Sequence, residues 1–130
     1  NQESIDMASE KLKEPYWVLC PLSNIFIHRE LPPIDLMIEN NLEICIGTDS
    51  LSSNTVLSII EELKCLHKNF RHITLQQLLT WATINGAKAI GKEETLGSLE
   101  IGKKPGIVLI DNIDWNTFSL TEKSRSTRLI

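Results

Sequence analysis

Long apolar runs, a basic excess and paired cysteines are what this sequence lacks. Across 130 residues the longest uninterrupted apolar stretch is a handful of residues, well short of the ~20 that a membrane-spanning helix needs. Lysine and arginine number 13 against 17 acidic residues, for a net charge of −4, and the basic residues are scattered. That excludes the clustered basic face on which nucleic-acid binding depends. The three cysteines, Cys20, Cys45 and Cys65, are an odd number at wide spacing with no Cys-x-x-Cys pair. Neither a disulfide framework nor a thiolate zinc site is indicated, and they read as small buried hydrophobes in a reducing cytoplasm. No G-x-S-x-G, P-loop or G-x-G-x-x-G pattern is present, and Gly97, Gly102 and Gly106 lie at turn spacing rather than phosphate-binding spacing. Only 5% of residues are aromatic, and Trp17, Trp81 and Trp115 read as core or interface groups rather than a stacking platform. The first residue is Asn1 rather than Met, with no charged-then-apolar leader; no secretion signal is visible, and the start reads as that of a processed product or a piece of a longer chain.

What is present suits one globular domain: 42% hydrophobic and 23% charged residues, in a length that can bury a real core. Ile5, Ala8 and Leu12 recur at helical spacing behind Asn1 or Ser4 as caps, and Pro15 ends the run. Tyr16 to Leu19 is a short continuous apolar run of the kind that forms a strand covered on both faces. Cys20 to Asn24 then reads as a turn-rich loop. Pro33 starts a helix with Ile34, Met37 and Ile38 on one face, and Asn40-Asn41 stops it. Leu42 to Ile46 is a second buried-type strand, closed by Gly47-Thr48-Asp49 and a polar segment to Asn54. Val56, Ile59, Ile60, Leu63 and Leu66 then lie on one helical stripe, Thr74 and Gln77 make a capping box, and Asn85-Gly86 reads as a helix end before a shorter helical piece. This alternation argues for an α/β fold with a parallel sheet, either barrel or open. After Gly91 the pattern changes to short strands, Gly97 to Gly102 and Gly106 to Ile110, joined by glycine turns, with a polar tail that pairs weakly or frays.

In α/β folds ligands gather beyond the carboxyl ends of the strands. Two segments lie there, Cys20 to Asn24 and Gly47 to Asn54. On residue type alone Asp49 has two roles open to it: capping the following helix, or ligating a cation and taking a proton from water.

A resemblance bears on that choice. Cys20-Pro21-Leu22-Ser23-Asn24, Leu31-Pro32-Pro33-Ile34 and Gly47-Thr48-Asp49-Ser50 with Ser53-Asn54 resemble the seventh and eighth strand ends of amidohydrolases of the cytosine, guanine and adenosylhomocysteine deaminase and triazine chlorohydrolase group. Further on, Trp81 to Gly91 and Leu96 to Lys103 are similar to the stretch that leads such proteins out of their barrel. The match runs in order over residues 4 to 111.

The resemblance implies that residues 1–91 are the last two βα units of a (β/α)8 barrel and that 92–130 give strands to an accompanying β-sandwich. A whole barrel needs ~250 residues. It further implies one divalent metal, zinc or alternatively iron, and Asp49 as both metal ligand and catalytic residue. Ser23, Asn24 and His28 would line the pocket of a small heterocyclic amine, and Ser53 and Asn54 would support the loop. The reaction would be hydrolysis of a C–N or C–Cl bond by metal-activated water. The family's His-x-His is absent, and His28, His67 and His72 do not occupy the matching strand ends; His67 and His72 read as solvated. The chain by itself is therefore expected to hold no metal, to lack activity, and to associate with the rest of its barrel or with copies of itself. The competing expectation is an independent, non-catalytic α/β module that binds a small ligand or partner at the Asp49 loop.

Overall fold

The computed structural model describes residues 1–130. Its elements run α1 (Gln2–Lys11), β1 (Tyr16–Leu19), α2 (Pro21–His28), α3 (Ile34–Glu39), β2 (Glu43–Ile46), α4 (Ile59–Asn69), α5 (Leu75–Ala82), α6 (Ile84–Ala89), β3 (Val108–Asp111) and β4 (Arg125–Arg128). β1 and β2 pair in parallel, Tyr16 opposite Glu43 and Leu19 opposite Ile46. The ladder continues one step further, where the Gly47 N–H donates to the Leu19 carbonyl at 2.8 Å.

Because side chains alternate along a strand, this register puts Trp17, Leu19, Ile44 and Ile46 on one face and Tyr16, Val18, Glu43 and Cys45 on the other. The first face meets the helices: Leu19 and Ile44 share a core with Ile34, Met37, Ile60, Leu63, Leu66, Leu75, Leu78 and Trp81. The second face is partly bare, with Val18 61% exposed. Parallel strands are normally covered on both faces and flanked by others. Here the sheet has two strands, and each keeps a free edge.

Local signals explain several element ends. Asn1 caps α1 by accepting the Ser4 N–H at 3.0 Å. At α5, the Thr74 hydroxyl accepts the Gln77 N–H at 3.2 Å while the Gln77 side chain accepts the Thr74 N–H at 3.1 Å, the reciprocal capping box expected from these residues. β3 and β4 form a separate antiparallel pair, Val108 opposite Arg128, and the tail that was expected to pair weakly or fray supplies its second strand. Leu120 joins the main core, and Ile110 and Ile113 pack against it. No helix is long and apolar enough to cross a membrane.

The structure corrects four local expectations. The segment after β1 is helical rather than a loop, because Pro21, with its fixed φ, sits in the first turn. Asn85 lies inside α6 instead of ending a helix: it is buried and donates to the Ile44 carbonyl at 2.8 Å. Gly97 to Gly102 forms turns, with Gly97 at φ +88°. A Cβ at Gly97 would come within 2.7 Å of the Ala87 Cβ, so the chain there is pressed onto α6 and cannot run as a strand. His67 is buried, not solvated, and its Nδ1 accepts the Leu120 N–H at 3.3 Å.

Candidate functional site

The site is built where β2 ends. Gly47 makes its first step with little room to spare, since a Cβ there would lie 3.0 Å from Val18 Cγ1 and 3.2 Å from Cys20 Sγ. Two residues on, Asp49 adopts a left-handed backbone, φ +55°. Outside glycine this conformation is uncommon, though Asp tolerates it better than most residues, and such positions cluster at functional sites.

Its carboxylate is held from two sides. Ser23 Oγ, on α2, donates to Asp49 Oδ2 at 3.0 Å, and Ser53 Oγ, in the following loop, donates to the same oxygen at 2.9 Å. Neither serine hydroxyl acts on Oδ1. The hydrogen bonds from Ser53, Ser23 and the Ser50 backbone hold the Asp49 carboxyl below its ordinary range, against a smaller opposing effect of burial. Asp49 is thus an exposed, ionised carboxylate with a fixed orientation.

Behind it lies a buried layer. Asn54 donates through Nδ2 to the Thr48 carbonyl at 3.0 Å and to Glu62 Oε1 at 2.8 Å. Glu62 Oε2 accepts the Leu22 N–H at 2.8 Å. Burial pushes the Glu62 carboxyl upward, partly offset by those two hydrogen bonds. Cys20 sits beside the cluster, where burial raises its thiol and a hydrogen bond from the Asp49 backbone works the other way.

Of the residues singled out in the sequence, Asp49, Ser23, Ser53 and Asn54 come together. Asn24 adjoins Ser23 on α2 but makes no side-chain hydrogen bond into the cluster. His28, in the last turn of α2, is exposed and also makes none. His72 pairs with Asp35 at 2.8 Å on the surface. Glu62 was missed, and Cys20, within a strand-end segment named from the sequence, was read only as a small buried hydrophobe. For Glu62 a signal existed: it lies four residues before Leu66 and one before Leu63, inside the apolar stripe of α4, and a carboxylate at such a place is the informative exception. No group of three or more His, Cys, Asp or Glu that could hold a metal ion occurs in the chain. One carboxylate does not hold a catalytic metal, so the residues present do not by themselves fit one. An open groove of about 790 Å³ lies between α2, α4 and residues 114–122, and Asp49 does not line it.

The amidohydrolase family profile matches residues 2–127. A 5'-deoxyadenosine deaminase of Methanobrevibacter smithii is 39% identical over 103 residues, covering 74% of this chain and 24% of its own length. An S-triazine hydrolase of Gordonia rubripertincta is 32% identical over 98 residues, covering 70% of this chain and 20% of its own length. Among solved structures, a zinc-bound adenosine deaminase from Xanthomonas campestris superposes with a TM-score of 0.71 at 27% identity, over 85% of this chain and 26% of that one. The chain therefore spans about a quarter of the length of the curated relatives it matches. A profile match over nearly every residue, with the fold shared, settles the lineage: the chain belongs to the amidohydrolase family.

Proposed function

We propose that this chain is the closing part of a metal-dependent hydrolase that cleaves a C–N bond, or a C–Cl bond, of a small heterocyclic substrate. In this reading residues 1–91 are the last two βα units of a (β/α)8 barrel, and 92–130 contribute strands to a β-sandwich beside it. Asp49 takes a proton from the attacking water and is one ligand of a divalent metal, zinc or alternatively iron. Ser23 and Ser53 hold it oriented, Ser23, Asn24 and His28 border the substrate, and Asn54 secures the loop. The metal, when bound, supplies Lewis acidity toward water. Its remaining ligands would come from outside this chain.

One observation carries the reading: a left-handed Asp49 at the end of a parallel strand, with a single oxygen fixed by two serine hydroxyls. A cap would need only an acceptor. Two donors fixing one carboxylate oxygen and leaving the other to neither of them are the arrangement of a group kept ready for a ligand or a proton. The bare Val18 face and the two free strand edges support a missing remainder of barrel over an independent module.

The test has two arms. In the longer protein, Asp49→Asn is expected to abolish turnover of an aminated heterocycle while leaving the thermal midpoint nearly unchanged; retained activity removes Asp49 from the role. The 130-residue chain alone is expected to bind no stoichiometric zinc, to turn over nothing, and to run as a dimer or larger species in light scattering. A clean monomer with two-state unfolding would support the non-catalytic module instead.

A further inference from the structure

We propose that Glu62 is a positioning residue that holds both serine donors onto Asp49, acting as a two-armed clamp from beneath the site. Each arm starts at one oxygen of the same buried carboxylate. Oε2 takes the Leu22 N–H, and the next residue, Ser23, donates to Asp49 Oδ2; Oε1 takes the Asn54 amide, and the residue before it, Ser53, donates to the same Oδ2. The two hydroxyls come from different elements, α2 and the loop after β2, and Glu62 on α4 ties both to one point.

The clamp makes physical sense on each side. Leu22 lies in the first turn of α2, where amides have no partner inside the helix, and the cap residue Cys20 supplies no side-chain hydrogen bond. Glu62 provides that acceptor from another helix. A fully buried carboxylate, 0% exposed, is costly unless its oxygens are satisfied, and here both are. The inference rests on the proposed function only in taking Asp49 as the group that has to be aimed; the clamp itself is a matter of geometry.

Glu62→Gln keeps the shape but offers one carbonyl oxygen and one NH2 in place of two acceptors, so it can serve only one of the two donors. The readout is amide hydrogen exchange by NMR on the 130-residue chain, with crystal structures of the parent and the variant. The expected result is exchange at least tenfold faster at Leu22 or across 47–54, with Leu78 and Leu79 in α5 unchanged, and at least one serine moved beyond hydrogen-bond reach of Asp49. A core filler would give either no change or a uniform increase at all of these amides, and either result overturns the clamp. Asn54→Ala, which removes one arm without touching α4, keeps the question open to refutation should the Gln variant fail to fold: it should free Ser53 while Ser23 stays on Asp49, and loss of neither or of both overturns the proposal. None of these readouts uses turnover, so retained activity of Asp49→Asn in the longer protein would count against the proposed function and leave the clamp standing.

Discussion

The helix-clad parallel pair and the antiparallel pair β3–β4 are both two strands of four residues, yet they are held by different physics. Around β1 and β2 one face is sealed by apolar side chains from three helices, α3, α4 and α5, and the buried polar groups Glu62, Asn54 and Asn85 are hydrogen-bonded. Around β3 and β4 almost every side chain faces solvent: Val108 and Leu109 are more than half exposed, as are Trp115, Leu129 and Ile130. This second region is fastened by backbone ladders and a few anchors, Leu120 in the core and the fully buried Ser124, whose Oγ accepts the Thr121 N–H at 2.8 Å and donates to the Asn112 carbonyl at 3.0 Å. Strand pairing alone therefore says little about stability; what covers the strands decides it.

The sharpest way to break that contrast is to shorten one leucine in each region. Leu66→Ala, at a fully buried site, is expected to cost about 2–5 kcal/mol, whereas Leu109→Ala on β3 should stay within about 0.5 kcal/mol; equal shifts in urea midpoint would erase the distinction. A smaller effect is expected from Ser124→Ala, about 1–3 kcal/mol for the two lost hydrogen bonds. Its signature is local, with amide exchange accelerating in β4 before α4 and α5 respond, and a uniform acceleration would show the two regions to be one cooperative unit.

The smallest expected effect is a pH dependence where the regions meet. His67 Nδ1 must be unprotonated to accept the Leu120 N–H, and burial, with the nearby Arg71, holds its pKa below the ordinary 6.5. The unfolded chain takes up this proton more readily than the folded one. The stabilisation is then complete above pH 6.5 and is lost as pH falls from there through the folded-state value. Urea midpoints across that window should decline in the parent chain and flatten in His67→Gln; parallel profiles would place the coupling elsewhere.

Much of the framework was legible because its signals are local. Tyr16 to Leu19 and Leu42 to Ile46 are apolar runs too short for helices, and Thr74 with Gln77 carries its own cap chemistry. Asp49 was legible as a candidate for a related reason, since a polar turn after a buried strand has few places to go. Glu62 was not read, and Asn85 and His67 were read as a helix end and a solvated histidine, though all three are buried and hydrogen-bonded. The partners that make their burial tolerable, Leu22, Ile44 and Leu120, lie 40, 41 and 53 residues away, and no periodicity reports a contact at that separation.

The sequence by itself determined the α/β class, the two parallel strands, most helix starts and the family to which the chain belongs. The class, strands and helix starts follow from side-chain type and spacing within one or two turns, and the family from the resemblance of several motifs in order along residues 4 to 111. Only the tertiary structure decided that Asp49 is aimed by two serines and that a buried carboxylate on a third element ties those serines together, because that arrangement exists only once α2, α4 and the loop after β2 have packed against one another.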